Sequence, residues 1–212
     1  NVSLTYRNPY SDSTDTDMVR INFQTPEAPV PDDYIADTGE PFGERNGFWY
    51  GWLAGENAES RYRHQHNDPR YDTLNHLQKS EKNYIWEIAV QDGSYQVRLV
   101  LGDAGYTDQI NHVLLEGVRL TDSDGEDNFD LFETEVTVTD SRLTLQAADD
   151  AVNAKICFID IQSITDSVEQ NPGVPKALEL GQNYPNPFNS STSIDFNVPT
   201  DSHLTLTLYD LL

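Results

Sequence analysis

A segment rich in aromatic and basic residues, from residue 42 to residue 78, carries the side chains best suited to binding a ligand. It opens with four aromatic residues in five positions and continues with arginines and histidines. The segment shows neither the two-residue period of a strand nor the 3.6-residue period of a helix, and binding residues concentrate in loops on a rigid scaffold. We interpret it as a recognition surface. The alternative is that its aromatic rings are core and its charges are solvated.

Basic residues are concentrated in one part of an acidic chain. The sequence has 13 Lys and Arg against 36 Asp and Glu, a net charge of -23. Five of those 13 residues and three of the five histidines lie between Arg61 and Lys82. Because arginine binds carboxylate and sulfate groups through two parallel hydrogen bonds, this cluster suggests a ligand with such groups. The alternative is that these arginines pair with the protein's own carboxylates.

The overall composition excludes several classes of protein. A net charge of -23 argues against nucleic acid and anionic membranes as partners, since both require basic surfaces. No apolar run approaches the length of a membrane span. The one cysteine, Cys157, excludes an intrachain disulfide and a thiolate zinc site, and its apolar neighbours predict a buried, inert thiol.

Residues 19 to 163 predict β structure throughout. Apolar residues alternate in residues 84–90 and 95–101, and again in 132–139 and 142–146, each pair being separated by a short turn, so we predict two hairpins. Short strands separated by turns, with no convincing helix, are typical of a jelly-roll β-sandwich. The predicted core consists of Phe23, Trp86, Ile88, Val97, Leu99, Leu114, Val136, Val138, Leu143, Leu145, Phe158 and Ile161.

Two linker-like segments, one within residues 1–18 and one at residues 166–176, divide the chain into three strand-containing parts. Residues 2–6 alternate like a short strand without a partner, and residues 193–198 and 204–209 read as two further short strands, expected to pair as a hairpin. The predicted organisation is all-β: an N-terminal strand with a polar linker (1–18), a β-sandwich (19–165), a second linker (166–176) and a small, incomplete Ig-like β appendage (177–212).

A set of short motifs occurs in the order found in malectin-like carbohydrate-binding modules. They are Ile21-Asn22-Phe23-Gln24, Ala36-Asp37-Thr38-Gly39, Tyr50-Gly51-Trp52, Arg70-Tyr71-Asp72-Thr73-Leu74, Trp86-Glu87-Ile88, Val97-Arg98-Leu99-Val100 with Gly102-Asp103, and Phe158-Ile159-Asp160. Residues 19–162 therefore resemble this family. The resemblance implies a β-sandwich that binds sugars without cleaving them, through aromatic and polar residues from loops at one end.

Sugar binding requires a flat aromatic ring for the apolar face and fixed polar groups for the hydroxyls. Tyr50 and Trp52 are two positions apart, so they point the same way in an extended segment, and Trp49 points the opposite way. One of these two faces is expected to be core. The candidate carbohydrate-binding residues are Tyr50, Trp52, Arg70, Tyr71, Asp72, Asp103 and Tyr106. The alternative is that the Tyr-Gly-Trp and Tyr-Asp motifs are structural features of the fold.

The last segment resembles the C-terminal sorting domain of the bacterial type-nine secretion system. The resemblance rests on residues 178–189, which read LELGQNYPNPFN, and on residues 204–210, which read LTLTLYD. It implies export, so we expect an extracellular, secreted or cell-surface protein. The family continues for several more strands, so the appendage is expected to be incomplete.

Two weaker patterns concern metal ions. Residues 121–127 place oxygen-bearing side chains at alternating positions around a glycine, as in a calcium loop, but lack the distal glutamate of an EF-hand. We expect a solvated loop there, with a structural calcium ion as the alternative and no required cofactor. His64 and His66 could be metal ligands, but no third ligand at a known spacing accompanies them.

Three functions compete on this basis. The first is a non-catalytic module that binds a polysaccharide, neutral or anionic. The second is a subunit of an extracellular fibre, in which the N-terminal strand of one chain adds to the C-terminal strands of the next. The third is a polysaccharide lyase or hydrolase fragment, for which His64, Arg70 and Tyr71 are the plausible catalytic set.

Overall fold

The computed structural model describes residues 3–6, 18–53, 55, 57, 59–80, 82–123, 127–164, 179–180, 184–189, 191–193, 196–197 and 204–207. The chain divides into two compact units. The larger unit is Ser13–Thr165, and the smaller unit combines Asn1–Asp12 with Asp166–Leu212.

The described residues are almost entirely strand and loop. In chain order the strands are β1 (Ser3–Tyr6), β2 (Met18–Phe23), β3 (Ile35–Asp37), β4 (Gly43–Arg45), β5 (Phe48–Trp52), β6 (Ser60–Tyr62), β7 (Thr73–His76), β8 (Gln78–Lys79), β9 (Lys82–Asn83), β10 (Ile85–Ala89), β11 (Gly93–Gly102), β12 (Val113–Leu115), β13 (Val118–Leu120), β14 (Phe129–Val138), β15 (Arg142–Ala147), β16 (Lys155–Ser163), β17 (Glu179–Leu180), β18 (Tyr184–Asn189), β19 (Ser191–Ser193), β20 (Phe196–Asn197) and β21 (Leu204–Thr207). A single turn of 3-10 helix, Pro69–Tyr71, lies between β6 and β7. Within the described ranges, no helix is long and apolar enough to cross a membrane.

The larger unit is a sandwich of two sheets, which confirms the all-β prediction. One sheet has six strands in the order β13-β12-β15-β10-β5-β4. The other has seven, with β14-β11-β16-β2-β3 in line and β7 joining β16 to β6. β2 and β3 run parallel, and the other pairs in these two sheets are antiparallel. The segment expected to be irregular, residues 42–78, contains the four short strands β4 to β7, with loops and the 3-10 turn between them.

Both predicted hairpins are wrong, because the chain crosses between the sheets where a hairpin was expected. β10 pairs with β5 and β15 in the six-stranded sheet, whereas β11 pairs with β14 and β16 in the other. β14 and β15 are likewise in different sheets. Alternation fixes which side chains face the core, but it does not distinguish a hairpin from two strands that face each other across that core.

The predicted core is confirmed except at one position. Leu114 is half-buried, and its neighbours Val113 and Leu115 face the interior instead, so the expected register of this strand was off by one residue. Phe158 is buried, but in a second cluster with Leu74, Val100 and Cys157 on the side of the seven-stranded sheet that faces away from the main core. Burial raises the pKa of the Cys157 thiol, as expected for an inert cysteine.

The smaller unit corrects two expectations about the termini. β1 pairs with β21 of the same chain, with Ser3 opposite Thr207 and Tyr6 opposite Leu204, so the N-terminal strand does have a partner. Among the residues that the structure describes, the two C-terminal strands predicted to form a hairpin have other partners: β20 pairs with β17, and β21 pairs with β1. β18 pairs with β19. Pairing between strands about 200 residues apart leaves no local pattern in the sequence.

A buried carboxylate connects the two sheets of the larger unit. Asp37, at the end of β3, accepts hydrogen bonds from Nε1 of Trp52 on β5 and from Nε1 of Trp86 on β10, both at 2.8 Å. The Gly39 amide donates a third at 2.9 Å. Both indole rings also pack edge-on against Phe23, at centroid distances of 5.9 and 5.3 Å. Asp37 is therefore the acceptor that allows two tryptophan N–H groups to be buried.

We expect Asp37→Ala to lower the free energy of unfolding by about 3 kcal/mol, because it leaves two buried indole N–H donors without an acceptor and opens a cavity. Chemical denaturation followed by tryptophan fluorescence measures this change. Glu27→Ala, at an exposed position, is the control and should change stability by less than about 0.5 kcal/mol. A loss for Asp37→Ala no larger than that of the control would contradict the assigned role.

The same carboxylate predicts a pH dependence of stability. Burial raises the pKa of Asp37 from 3.8 to about 6, against the opposing effect of its three donors. The folded protein therefore binds one more proton than the unfolded chain between about pH 4 and 6, so the contribution of Asp37 to stability falls as the pH rises through this window. At 1.4 kcal/mol per pKa unit the fall is about 3 kcal/mol.

A carbon-13 NMR titration of the Asp37 carboxyl group should show a midpoint near pH 6. Because the other carboxylates also titrate, the stability effect is isolated by subtracting the profile of Asp37→Asn, which cannot ionise. A midpoint at or below about pH 4 would show that the three N–H donors outweigh burial.

Candidate functional site

Two of the predicted binding residues are structural. Tyr50 and Trp52 do point the same way, but that face of β5 is the core face, where both side chains are buried. The Tyr50 hydroxyl donates to the Ala36 carbonyl at 2.9 Å, and Trp52 donates to Asp37. A ring without solvent-accessible surface cannot stack on a sugar, so the assignment of these two residues to a binding surface is wrong. Trp49 points outward and is half-buried beside Phe42.

Asp72 also has a structural role. It is buried, and its Oδ1 accepts the backbone amides of Gln65 at 2.7 Å and His66 at 2.9 Å. The Arg63 amide in turn donates to the Asp72 carbonyl at 2.9 Å. Asp72 therefore fixes the loop between β6 and β7, and its carboxylate positions other residues rather than facing a ligand.

Arg70 and Tyr71 lie in the 3-10 turn of this loop. Asp68 caps the turn by accepting the Arg70 amide at 3.0 Å, and it also accepts Nη2 of Arg70 at 2.6 Å. Arg70 therefore lowers the pKa of Asp68. Tyr71 packs edge-on against Phe129 and Phe158, at centroid distances of 5.0 and 5.3 Å. Arg61 pairs with Glu59, so the arginines of this segment do pair with the protein's own carboxylates.

Asp103 is the centre of a buried charged cluster at the end of β11. Nε and Nη2 of Arg63 donate to its two oxygens at 2.7 and 2.5 Å, and Nζ of Lys155 lies 3.4 Å from Oδ2. Burial raises the pKa of Asp103, but the hydrogen bonds from Arg63 and the Gly105 amide and the charge of Lys155 outweigh it, so the pKa lies below its usual value. Asp103 is ionised at neutral pH.

Gly102 allows this cluster to form. Its φ of 134° is in a region that favours glycine, and a Cβ at this position would overlap the carbonyl oxygen of Asn128. The Asp103 amide donates to that same carbonyl at 2.8 Å. The chain therefore turns sharply at the end of β11, and this turn directs Asp103 inward and the following loop outward.

Lys155 completes the cluster and was not identified from the sequence. Its Nζ donates to Asp108 at 2.7 Å and to Oε1 of Gln109 at 2.8 Å, and the side chain is almost fully buried. The signal that could have found it is a lysine that begins the otherwise apolar run of β16. A buried lysine requires acceptors, so such a position predicts nearby carboxylates.

Tyr106 is the one candidate aromatic residue with a largely exposed side chain. Its exposed fraction is 54 %, and Cζ of Arg63 lies 4.6 Å from the ring centroid. Gln109 and Asn128 donate to the Tyr106 carbonyl at 3.2 and 3.3 Å, so the backbone is held as well. The structure thus brings Asp103 and Tyr106 together through Arg63. We call this region, made of Tyr106, Arg63 and Asp108, the Tyr106 surface.

A groove containing Arg70 lies beside the second buried cluster, on the outward side of the seven-stranded sheet. Its volume is about 410 Å³. It is lined by Arg20, Pro31, Asp32, Asp33, Tyr34, Asp68, Pro69, Arg70, Arg98 and Asp160. Sequence reasoning identified only Arg70 among these residues, because the others come from five separate segments that only the fold brings together.

The described residues contain no group of three or more His, Cys, Asp or Glu side chains arranged to hold a metal ion. His64 stacks on Tyr62 at a centroid distance of 3.7 Å, and His66 lies against Tyr71. In the loop of residues 121–127, where calcium was the alternative to a solvated loop, Asp122 turns inward to accept the Asn111 amide at 3.1 Å. Residues 124–126 of that loop lie outside the described residues.

No protein-family model matches the chain, and no curated protein matches it. Among solved structures, the Bacillus subtilis protein YxiM matches 70 % of this chain at 18 % identity with a TM-score of 0.48. A β-glucuronidase of Bacteroides uniformis matches 70 % at 12 % identity and a TM-score of 0.48, and the plant receptor-like kinase FER matches 79 % at 15 % identity and a TM-score of 0.48. The matched regions span 40 %, 18 % and 47 % of those chains.

We expect Asp103→Ala to destabilise the larger unit by about 3–5 kcal/mol, because it leaves Arg63 and the buried Lys155 without their shared carboxylate. Urea denaturation of the purified protein measures the loss. Asp149→Ala removes an exposed carboxylate and serves as the matched control. Equal stability of the two variants would show that the cluster contributes nothing to the fold.

Proposed function

We propose that the larger unit is a non-catalytic carbohydrate-binding module of the malectin-like class, carried by a secreted or cell-surface bacterial protein. The observation that carries this proposal is the exposed ring of Tyr106 on a base of buried, fully paired charges. The ordered motifs of residues 19–162 support the same class, and the type-nine sorting motif of residues 178–189 supports export.

The Tyr106 surface combines the two features that a sugar requires. The apolar C–H face of a pyranose stacks on an aromatic ring, and its hydroxyls require donors and acceptors of fixed geometry. Arg63 lies against the ring and is itself held by two hydrogen bonds to Asp103, so little side-chain freedom remains to be lost on binding. Asp108 has an exposed side chain and is fixed by Lys155, which makes it a suitable acceptor for a hydroxyl.

The positions of the candidate catalytic residues favour binding over catalysis. Arg70 is engaged by Asp68, and Tyr71 is packed between Phe129 and Phe158. A lyase requires a base and a charge-neutralising group that converge on the substrate. The His64 ring is in contact with Tyr62, at a centroid distance of 3.7 Å. The proposed module requires no cofactor.

The fibre hypothesis is not carried forward as a function. It required the N-terminal strand to add to the C-terminal strands of a neighbouring chain. β1 and β21 form that pairing within one chain, over four residues. The edges through which these two strands would have joined neighbouring chains are therefore paired within the chain.

We expect Tyr106→Ala to weaken glycan binding at least tenfold, because removing the ring removes the stacking surface. A glycan array identifies a ligand, and isothermal titration calorimetry compares the variants against it. Leu131→Ala is the matched control, since Leu131 is an exposed apolar residue of nearly the same exposed fraction, 53 %, on β14.

Binding by the control should match that of the unchanged protein. A complete absence of binding across neutral and acidic glycans would overturn the proposed function. Binding that Tyr106→Ala leaves intact would place the glycan elsewhere on the module.

A further inference from the structure

The seven-stranded sheet ends in a long strand that has a partner on one side only. Among the described residues, β14 pairs with β11 and with no other strand. It has ten residues, whereas β13, β4, β3 and β6, which also have one partner each, have three. An edge strand presents unpaired N–H and C=O groups that can pair with another chain, and a short edge presents few of them. Within the described ranges, β14 therefore offers the longest edge of the two sheets.

The hydrogen bonds at the start of β14 show which of its backbone groups point away from β11. The Asp103 amide donates to the Asn128 carbonyl at 2.8 Å, so these two residues form a hydrogen-bonded pair. Bonded and non-bonded pairs alternate along an antiparallel ladder, and the register of β11 and β14 is unbroken. The Phe129 amide accordingly donates to Asp127 instead of to β11. The odd-numbered residues from 131 to 137 therefore direct their N–H and C=O groups to the open side, and we call them the β14 edge.

The side chains of the β14 edge carry negative charge. Glu133 and Glu135 are both exposed and lie on the same face of the strand. Glu133 has one distant cation, Nε of Arg98 at 3.5 Å, and its side chain is 62 % exposed. Glu135 forms no ion pair with any described residue. Both carboxylates thus retain most of their capacity to interact with a new cation.

This charge pattern selects between two possible occupants of the edge. A second copy of the chain could add its own β14, but any symmetric antiparallel pairing centred on residues 133–135 sets glutamate opposite glutamate. Like charges directly opposite each other destabilise a pair of strands, and charged side chains on an edge are a common device against self-association. A strand with lysine or arginine at alternate positions meets opposite charges instead. The edge therefore favours a basic partner over a second copy of itself.

We propose that the β14 edge binds an extended, basic segment of a partner protein, which adds to the seven-stranded sheet as one further strand. Backbone hydrogen bonds to the odd-numbered residues supply affinity, and basic side chains opposite Glu133 and Glu135 supply selectivity. The intervening side chains of the segment lie beside Phe132 and Val136 at the rim of the main core, where valine or threonine fits best. This site is independent of the proposed sugar-binding surface.

The test uses a capped synthetic peptide, Thr-Val-Lys-Val-Lys-Val-Thr, which reads the same in both directions and so fits either strand orientation. Fluorescence anisotropy of the labelled peptide measures its binding to the whole protein. The first control is the same peptide with both lysine amide nitrogens methylated, which keeps the charge but removes two N–H donors. We expect this control to bind at least tenfold more weakly. Equal binding of the two peptides would overturn strand addition, because charge alone would then explain it.

The second control separates the local charge from the net charge of -23. Glu135→Lys should weaken binding of the unmethylated peptide at least tenfold, since it sets lysine opposite lysine. Glu27→Lys makes the same change in charge at another exposed position and should leave binding nearly unchanged. Equal losses in the two variants would overturn the assigned site. The methylated peptide requires no variant, so the test remains valid if Glu135→Lys fails to fold.

Hydrogen exchange followed by NMR locates the peptide. In the free protein the amides of Glu133, Glu135 and Thr137 should exchange fast, whereas those of Thr134 and Val136, which face β11, should exchange slowly. The peptide should slow the first group and leave the second unchanged. Slow exchange of the first group in the free protein, protection elsewhere in the chain, or an absence of any peptide binding would each overturn the proposal.

Discussion

The sandwich depends on one buried carboxylate that faces three N–H donors. Asp37 is contributed by the seven-stranded sheet, and Trp52 and Trp86 are contributed by two adjacent strands of the six-stranded sheet, where they are opposite each other. A purely apolar core would hold the two sheets together without fixing how the two tryptophan rings are oriented between them. Three directional hydrogen bonds to one side chain specify this, at the cost of burying a charge. The Tyr50 hydroxyl, which donates to Ala36 on the same strand as Asp37, adds a second polar connection between the sheets.

The same principle operates at the end of the sandwich, below the surface that we propose binds a sugar. Asp103 and Lys155 are buried, Arg63 is half-buried against them, and the carboxylates of Asp103 and Asp108 together offset the two cations. The compensation is structural, but it leaves the guanidinium of Arg63 fixed beneath an exposed tyrosine ring. Without Asp103 the arginine would be free to extend into solvent, and the ring would lose the group that orients it. The residues that stabilise this end of the sandwich therefore also support the proposed binding surface.

The sequence predicted the faces of the strands well and their partners poorly. Alternation in residues 84–90 and 95–101 correctly identified the core side of each strand, because the period of two is a local property of the backbone. Which strands pair is decided by contacts far apart in sequence, so both predicted hairpins failed. Likewise, the sequence showed that Tyr50 and Trp52 share a face opposite Trp49, but not that this face is interior. Asp37 is the decisive residue, since it supplies the acceptor for Trp52, and nothing local to Trp52 reveals it.

The distribution of arginines shows how local context decides what a charge can do. The basic stretch between Arg61 and Lys82 was the natural place to look for anion binding, yet Arg61, Arg63 and Arg70 each have a carboxylate partner within 3.1 Å. Arg20 and Arg98 stand in strands that look unremarkable in the sequence, and their partners are more distant and largely exposed. Asp160 lies between Arg20 and Arg98 in the sheet, directly opposite both. A guanidinium group already bound at close range gains little from a new anion. The density of basic residues along the chain is therefore a poor guide to anion binding, because the fold supplies a carboxylate for each of these arginines.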